Sequence, residues 1–561
     1  MSSLGLDASP DTTMIAPARL KVGWIAVHAA IVLALLVLLG WAIGYGMQFR
    51  GAEAYNRVLP IRYTGDLGNA CYYGAVADKG GLFRIYDDMV TGAGPATDRR
   101  LDYPPLRIAV VWAWYRHLPS PPRMEHRGQL FRTEWQPTYA QMAPLLWLNT
   151  IAEWLTMVGL FLLARHWTTQ THPRSRWRIL RPYDGVARGM SAALLFWLSP
   201  AVLYAAHYYP QWDVWILPFY TFAILAACKD WWFTAGMLVA VGAMFKGQMM
   251  FCGAILPLWA IFGGRFGAAA RVLGGFGLAA MAVAAPWMMH GTTLVAWPMT
   301  VVLAIAVWWF GQFWRAGFSW HDLIKGIYVP TKRDWWIPLA AGAIGGVLCA
   351  WPLVLSDVSY NWIRIGFLYG TEKYPEMATP GAMNLCALLQ QRWGWNRIDE
   401  PVALFWTTVP LKTLLTGIFA TCLVLCGFAA SVHARRKDPK LLIAVVLPWI
   451  LFFILLPQLH SRYLIWGASL AGVLVVLGWE MLGLAAILHG LSWMMVAYFL
   501  LHFGRARYWP EAARFVNGAY PDAAWAVMGI TVVLLFLAIP KWRRAVDTDP
   551  PDSSTAVAGV S

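Results

Sequence analysis

Long apolar runs separated by short polar segments occupy most of the chain. They fall at about 22–46, 140–165, 189–206, 212–228, 232–246, 249–263, 272–289, 294–312, 336–356, 402–432, 441–456, 463–479, 482–502 and 524–540. A bilayer-spanning helix needs about 20 apolar residues, and most of these runs approach that length. Their prolines and glycines are tolerated in membrane helices whose neighbours satisfy the freed backbone groups. The pattern predicts an all-α integral membrane protein, a multi-pass bundle of about fourteen transmembrane helices.

One run does not fit. LDYPPLRIAVVWAWYRHL, residues 101 to 118, is interrupted by Arg107 and is too short to cross. The loop RHWTTQTHPRSRWRILRPYDGVAR is the most basic in the chain, so the positive-inside rule puts it in the cytoplasm. Arg19 and Lys21 put the N-terminus there as well. Two cytoplasmic segments are separated by an even number of crossings, which holds only if 106–118 does not cross. That run is therefore expected to be a helix on the outer surface, started by Pro104 and Pro105. The predicted layout is a cytoplasmic tail 1–21, a transmembrane domain 22–540 and a cytoplasmic tail 541–561. Large external loops are expected at 47–139 and 357–401. Both tails read as disordered.

Composition sharpens this picture. The chain is 59% hydrophobic and only 13% charged, which excludes an ordinary soluble domain. Its net charge of +15 comes from basic residues in short loops, so topology and anionic headgroups explain it and nucleic acid is not an expected partner. The seven cysteines form no CxxC pair and no metal spacing. Cys71 and Cys386 fall in predicted external loops, and a bridge between them is left open. The absence of an Asn-x-Ser/Thr sequon points to a bacterial plasma membrane, with the endoplasmic reticulum as the eukaryotic counterpart.

Polar residues at the outer ends of the apolar runs carry the chemistry, because polarity is expensive there. They are Asp66 in YTGDLGNACYYGAVAD, Asp102 and Tyr103 in LDYPP, and His207, Gln211 and Asp213 in AAHYYPQWDV. Lys246 and Gln248 follow in AMFKGQMMF, Arg364 in RIGFLYG, and His460 and Arg462 in LPQLHSRYL. Carboxylates can take a proton from a hydroxyl, and the cations can hold a departing phosphate. His207 and Asp213 also read as structural hydrogen-bonding residues. Lys246 equally reads as a side chain snorkelling to the interface.

The order of these motifs resembles the GT-C glycosyltransferases. The closest likeness is to the dolichyl-phosphate-glucose glucosyltransferases that build lipid-linked oligosaccharide. GDLGNACYYGAVAD corresponds to their first-loop acidic motif, and LDYPPL to the segment that starts a luminal helix. AHYYPQWDV, FKGQMMF and LHSRYL follow in the family's order, departing from it at Gly247 and Ser461. The resemblance implies an inverting transfer of a hexose, glucose or mannose, from a polyprenyl-phosphate donor to a hydroxyl on a glycan, lipid or protein. It implies Asp66 as catalytic base and His460, Arg462 and Lys246 near the donor phosphate. It implies Asp102 either in the acceptor pocket or as a helix cap, with no metal or other cofactor. A transporter or lipid flippase would also have many spans and intramembrane polar groups, and it stands as the alternative.

Overall fold

The computed structural model describes residues 17–57, 65–92, 103–119, 137–170, 181–290, 359–368, 381–502, 507 and 509–540. Two of the predicted runs, 294–312 and 336–356, lie outside these residues, and each of the others is helical over most of its length. Among the described residues, five helices are long and apolar enough to cross a membrane: Ile25–Arg57, Tyr139–Thr169, Phe266–Met288, Leu411–Arg435 and Trp479–Leu500. The count rises to seven if two bent pairs are each one span. Asp184–Trp197 with Pro200–Tyr208 bends by 43°, and Pro510–Ala519 with Ala523–Ala538 by 55°. The first bend follows from sequence. Pro200 lacks an N–H, and Ser199 before it is driven to an extended conformation.

Shorter apolar helices complete the bundle: Asp213–Cys228, Trp232–Phe245, Gln248–Phe262, Leu441–Leu455 and Ser461–Val476. These lengths and compositions fit a multi-pass membrane protein. Leu441–Leu455 is apolar all round, and every residue from Leu441 to Ile454 is buried, so it forms the centre of the packing. The helices Trp232–Phe245 and Phe266–Met288 cross almost backbone to backbone. A Cβ on Gly236 would lie 2.0 Å from the Val272 carbonyl oxygen, and one on Gly275 would lie 2.1 Å from that of Phe233. Small residues allow this contact, and without a hydrophobic drive between helices such close packing is what holds them in lipid.

The run around 106–118 forms the helix Pro105–Arg116, 12 residues long and so about 18 Å. It packs across Gly65–Gly80, Trp232–Phe245 and Phe266–Met288. Trp114 Nε1 donates to the Gln141 carbonyl at 2.8 Å, near the start of Tyr139–Gln170. Trp287, at the end of its helix, donates to the Leu82 carbonyl at 3.0 Å. These contacts collect the short helices at one end of the bundle.

The predicted run 402–432 begins differently. Residues 401–410 form an antiparallel hairpin, with Pro401 opposite Pro410 and Leu404 opposite Thr407, and the helix starts only at Leu411. The run TTVP is β-branched and ends in a proline, which favours extended chain over helix. The left-open disulfide does not form. Cys71 and Cys386 are both free, and burial pushes each thiol up to about 12.

Candidate functional site

Three non-helical breaks meet at the collected end of the bundle. The first is the stretch from Tyr204 to Trp215, where a single turn of π-helix runs into an extended corner and a 3₁₀ turn. The second is the break at Lys246 and Gly247, and the third is the loop that enters the helix at Ser461. Such interruptions at membrane depth occur where the backbone is buried in protein or lines a cavity.

Asp213 is the hub. Its side chain is buried, it pairs with Lys246 Nζ, and Arg462 Nε lies 2.7 Å from its other oxygen. Arg462 also donates to the Tyr209 hydroxyl at 2.9 Å. Lys246 Nζ sits 4.4 Å from the centre of the Tyr463 ring and 5.0 Å from that of Trp466. Trp466 in turn donates to the Asp213 carbonyl at 2.9 Å. A third cation stands close by. Arg107 lies over the Tyr103 ring at 3.6 Å and near Trp212 at 5.1 Å, close enough to add to the positive field at Asp213 and Lys246. Among the described residues, Lys246, Arg462 and Arg107 outnumber the one carboxylate, and all four are buried. A buried excess of positive charge is costly unless an anion completes it.

His460 closes one side. Its ring packs 4.4 Å from Phe499 and 5.9 Å from Tyr209, and its Nδ1 accepts from the Arg462 N–H at 3.4 Å. Burial, reinforced by the Arg462 and Lys246 charges, holds its pKa well below the ordinary imidazole value. It is therefore neutral at physiological pH and adds no further charge.

A second buried carboxylate lies beside the first cluster. Glu153, fully buried on Tyr139–Gln170, accepts from Arg50 Nε at 2.5 Å and contacts His207 Nε2 at 3.1 Å. Arg50 gives two further donors to the carbonyls of Gly46 and Trp197, at 2.8 and 2.9 Å, and stacks 3.4 Å from the Trp197 ring. One turn before Glu153, Asn149 donates to the carbonyls of Ala206 and Gln211 at 2.6 and 3.1 Å. This pins the 204–215 stretch to the helix that carries Glu153.

The structure thus brings together Tyr103, His207, Lys246, His460 and Arg462 among the predicted residues. It does not bring in Arg364, which is exposed, and Gln248 is half-buried at the start of its own short helix. Asp66 is the second residue of Gly65–Gly80, and its side chain lies outside the described part. Asp102 lies outside the described residues. Glu153 and Arg50 were missed by sequence reasoning. An acid within the apolar run NTIAEWLTMVGL and an arginine just after the first span were the available signals. Among the described residues, no group of three His, Cys, Asp or Glu could hold a metal ion. No protein-family model matches the chain, and no curated protein matches it.

Proposed function

We propose that the chain is a GT-C-type glycosyltransferase of about fourteen spans that moves a hexose from a polyprenyl-phosphate donor to a hydroxyl acceptor on the outer face of the membrane. The observation that carries this reading is the buried cationic excess around Asp213. Among the described residues, Lys246, Arg462 and Arg107 converge on the single carboxylate of Asp213, an excess of positive charge. A lipid-linked phosphate supplies the balancing negative charge while its chain stays in the bilayer. As the bond from the anomeric carbon to the phosphate oxygen breaks, its electrons pass to the phosphate, and fixed cations stabilise the charge that develops. Lys246 and Arg462 are already held in place by Asp213, so little reorganisation is needed.

The acceptor hydroxyl gives its proton to Asp66, and its oxygen attacks the anomeric carbon from the face opposite the phosphate, inverting the centre. Tyr103 and the helix Pro105–Arg116 border the acceptor side. A bacterial plasma membrane is the setting in this reading.

A flippase is the second reading. It is favoured by the broken spans, since discontinuous helices with polar breaks are also the mark of transporters. One assay separates the two. Membranes carrying the wild type or Asp66→Asn are given radiolabelled polyprenyl-phosphate glucose, mannose and related donors. The transferase reading expects label in an acceptor with the wild type and at least a hundredfold less with Asp66→Asn at equal protein level. Label moved across the membrane but into no acceptor would overturn it in favour of the flippase.

A further inference from the structure

Three consecutive side-chain features on the 204–215 stretch are polar, buried and unmatched. Gln211 is 1% exposed, and neither its Oε1 nor its Nε2 has a hydrogen-bond partner among the described residues. Trp212 is 2% exposed, with its Nε1 donor in the same condition. His207 is 1% exposed, and its Nδ1 is likewise unmatched. Buried polar side-chain atoms nearly always find a partner, so a cluster of four unmatched atoms within six residues calls for one.

The chemistry of these atoms is specific. Glu153 is clamped by Arg50 and is an acceptor only, so His207 Nε2 must carry the proton of their contact. In the neutral ring Nδ1 is then an acceptor. Gln211 offers one acceptor and a two-proton donor, and Trp212 offers a donor. Neither Gln211 nor Trp212 carries a charge. The stretch is also fixed rather than adaptable. Asn149 holds the Ala206 and Gln211 carbonyls, the Gln211 N–H donates to the Ala205 carbonyl at 2.9 Å, and Trp215 Nε1 donates to Asn149 Oδ1 at 2.5 Å. Two residues beyond Gln211, Asp213 begins the cationic cluster.

We infer that Gln211, Trp212 and His207 form a hydroxyl-reading subsite beside the cationic one, and that they select the sugar carried by the phosphate. The inference rests on the anion-site reading proposed above. A hydroxyl both donates and accepts, which matches an alternating set of donors and acceptors. The adjoining cations match a phosphate attached to the same ligand. A site built to hydrogen-bond hydroxyls discriminates strongly, because a ligand lacking them leaves its buried groups unpaired.

The test uses the full-length protein in lipid nanodiscs and measures binding of decaprenyl phosphate, decaprenyl-phosphate glucose and decaprenyl-phosphate mannose. The variants are Gln211→Leu, Trp212→Phe, which removes only the indole donor, and Arg462→Gln. The wild type is expected to bind at least one sugar-bearing lipid at least tenfold more tightly than the bare phosphate. Gln211→Leu and Trp212→Phe are expected to lose about tenfold for the sugar-bearing lipid and to leave bare-phosphate binding unchanged. Arg462→Gln is expected to weaken all three ligands. Equal weakening of bare and sugar-bearing lipid by Gln211→Leu and Trp212→Phe would make these residues structural and overturn the inference alone. Equal wild-type affinity for all three lipids would also overturn it and leave the anion site standing. Binding of none of them would overturn both readings.

Discussion

Glu153 and Asp213 are both buried carboxylates facing cations at the same end of the bundle, yet their surroundings differ in one respect. Around Glu153 the charges balance. One arginine answers one acid, and two further guanidinium donors go to the Gly46 and Trp197 carbonyls. Around Asp213, among the described residues, they do not. Two cations contact the acid, a third stands near, and the two residues before it, Gln211 and Trp212, carry unmatched polar atoms. A closed ion pair fixes helices, here the end of Pro17–Gln48 against Tyr139–Gln170 and Asp184–Trp197. An open one, in the reading proposed above, is held ready for a ligand. The contrast separates architecture from chemistry better than burial alone, since the two acids are equally buried.

The contrast can be broken from both sides. The largest stability effect is expected at the closed pair. Glu153→Leu leaves the Arg50 charge buried and unanswered, and should cost about 3–5 kcal/mol, read as a fall in melting temperature. The double change Arg50→Met with Glu153→Gln should recover most of that loss, because no lone charge remains and the amide oxygen can still accept from His207 Nε2. At the open cluster, Arg462→Gln leaves the Lys246–Asp213 pair intact. It should therefore melt near the wild type while its transfer rate falls about a hundredfold, the size expected for losing a fixed charge at the leaving group.

Gly366→Ala probes the packing of residues 359–368 against Tyr103 and Pro104. Its Cβ would meet Pro104 Cα and the Tyr103 carbonyl at 3.3 Å, so one of the two segments must shift. A loss of about 1–2 kcal/mol is expected, with a larger effect on activity than on melting. The neutral His460 gives a pH signature. Its pKa is lower in the native state than in the unfolded chain, so the unfolded chain binds the extra proton as pH falls below about 6.5. Wild type should lose stability on acidification faster than His460→Gln, by up to about 1.4 kcal/mol per pH unit, and the two should run parallel above pH 7. The smallest effect is expected at Arg392 and Asp522, an exposed pair at 2.6 Å. Arg392→Gln should leave both melting and activity unchanged.

The bundle is legible in the sequence because membrane helices announce themselves by length and hydropathy. Even the short helix Pro105–Arg116 is signalled by the two prolines that start it. The hairpin at 401–410 escaped because its residues are apolar enough to extend a span, and only the β-branched run before Pro410 argues otherwise. At the site, Lys246, His460 and Arg462 stood out as polar residues breaking apolar stretches. Glu153 did not, because a single acid within a helix carries no sign of its partner. Arg50 lies 103 residues away in the chain, and only the fold joins them. Asp213 was visible in the sequence, but its role as the hub depends on Lys246 and Arg462 arriving from separate helices.

The most direct measurement is single-turnover sugar transfer per folded molecule, comparing Arg462→Gln with the Arg50→Met, Glu153→Gln double variant. The account predicts that Arg462→Gln is stable and nearly inactive, while the double variant transfers sugar at a rate near that of the wild type. Full activity in Arg462→Gln, together with an inactive but folded double variant, would contradict it by placing the chemistry at the pair read here as architecture.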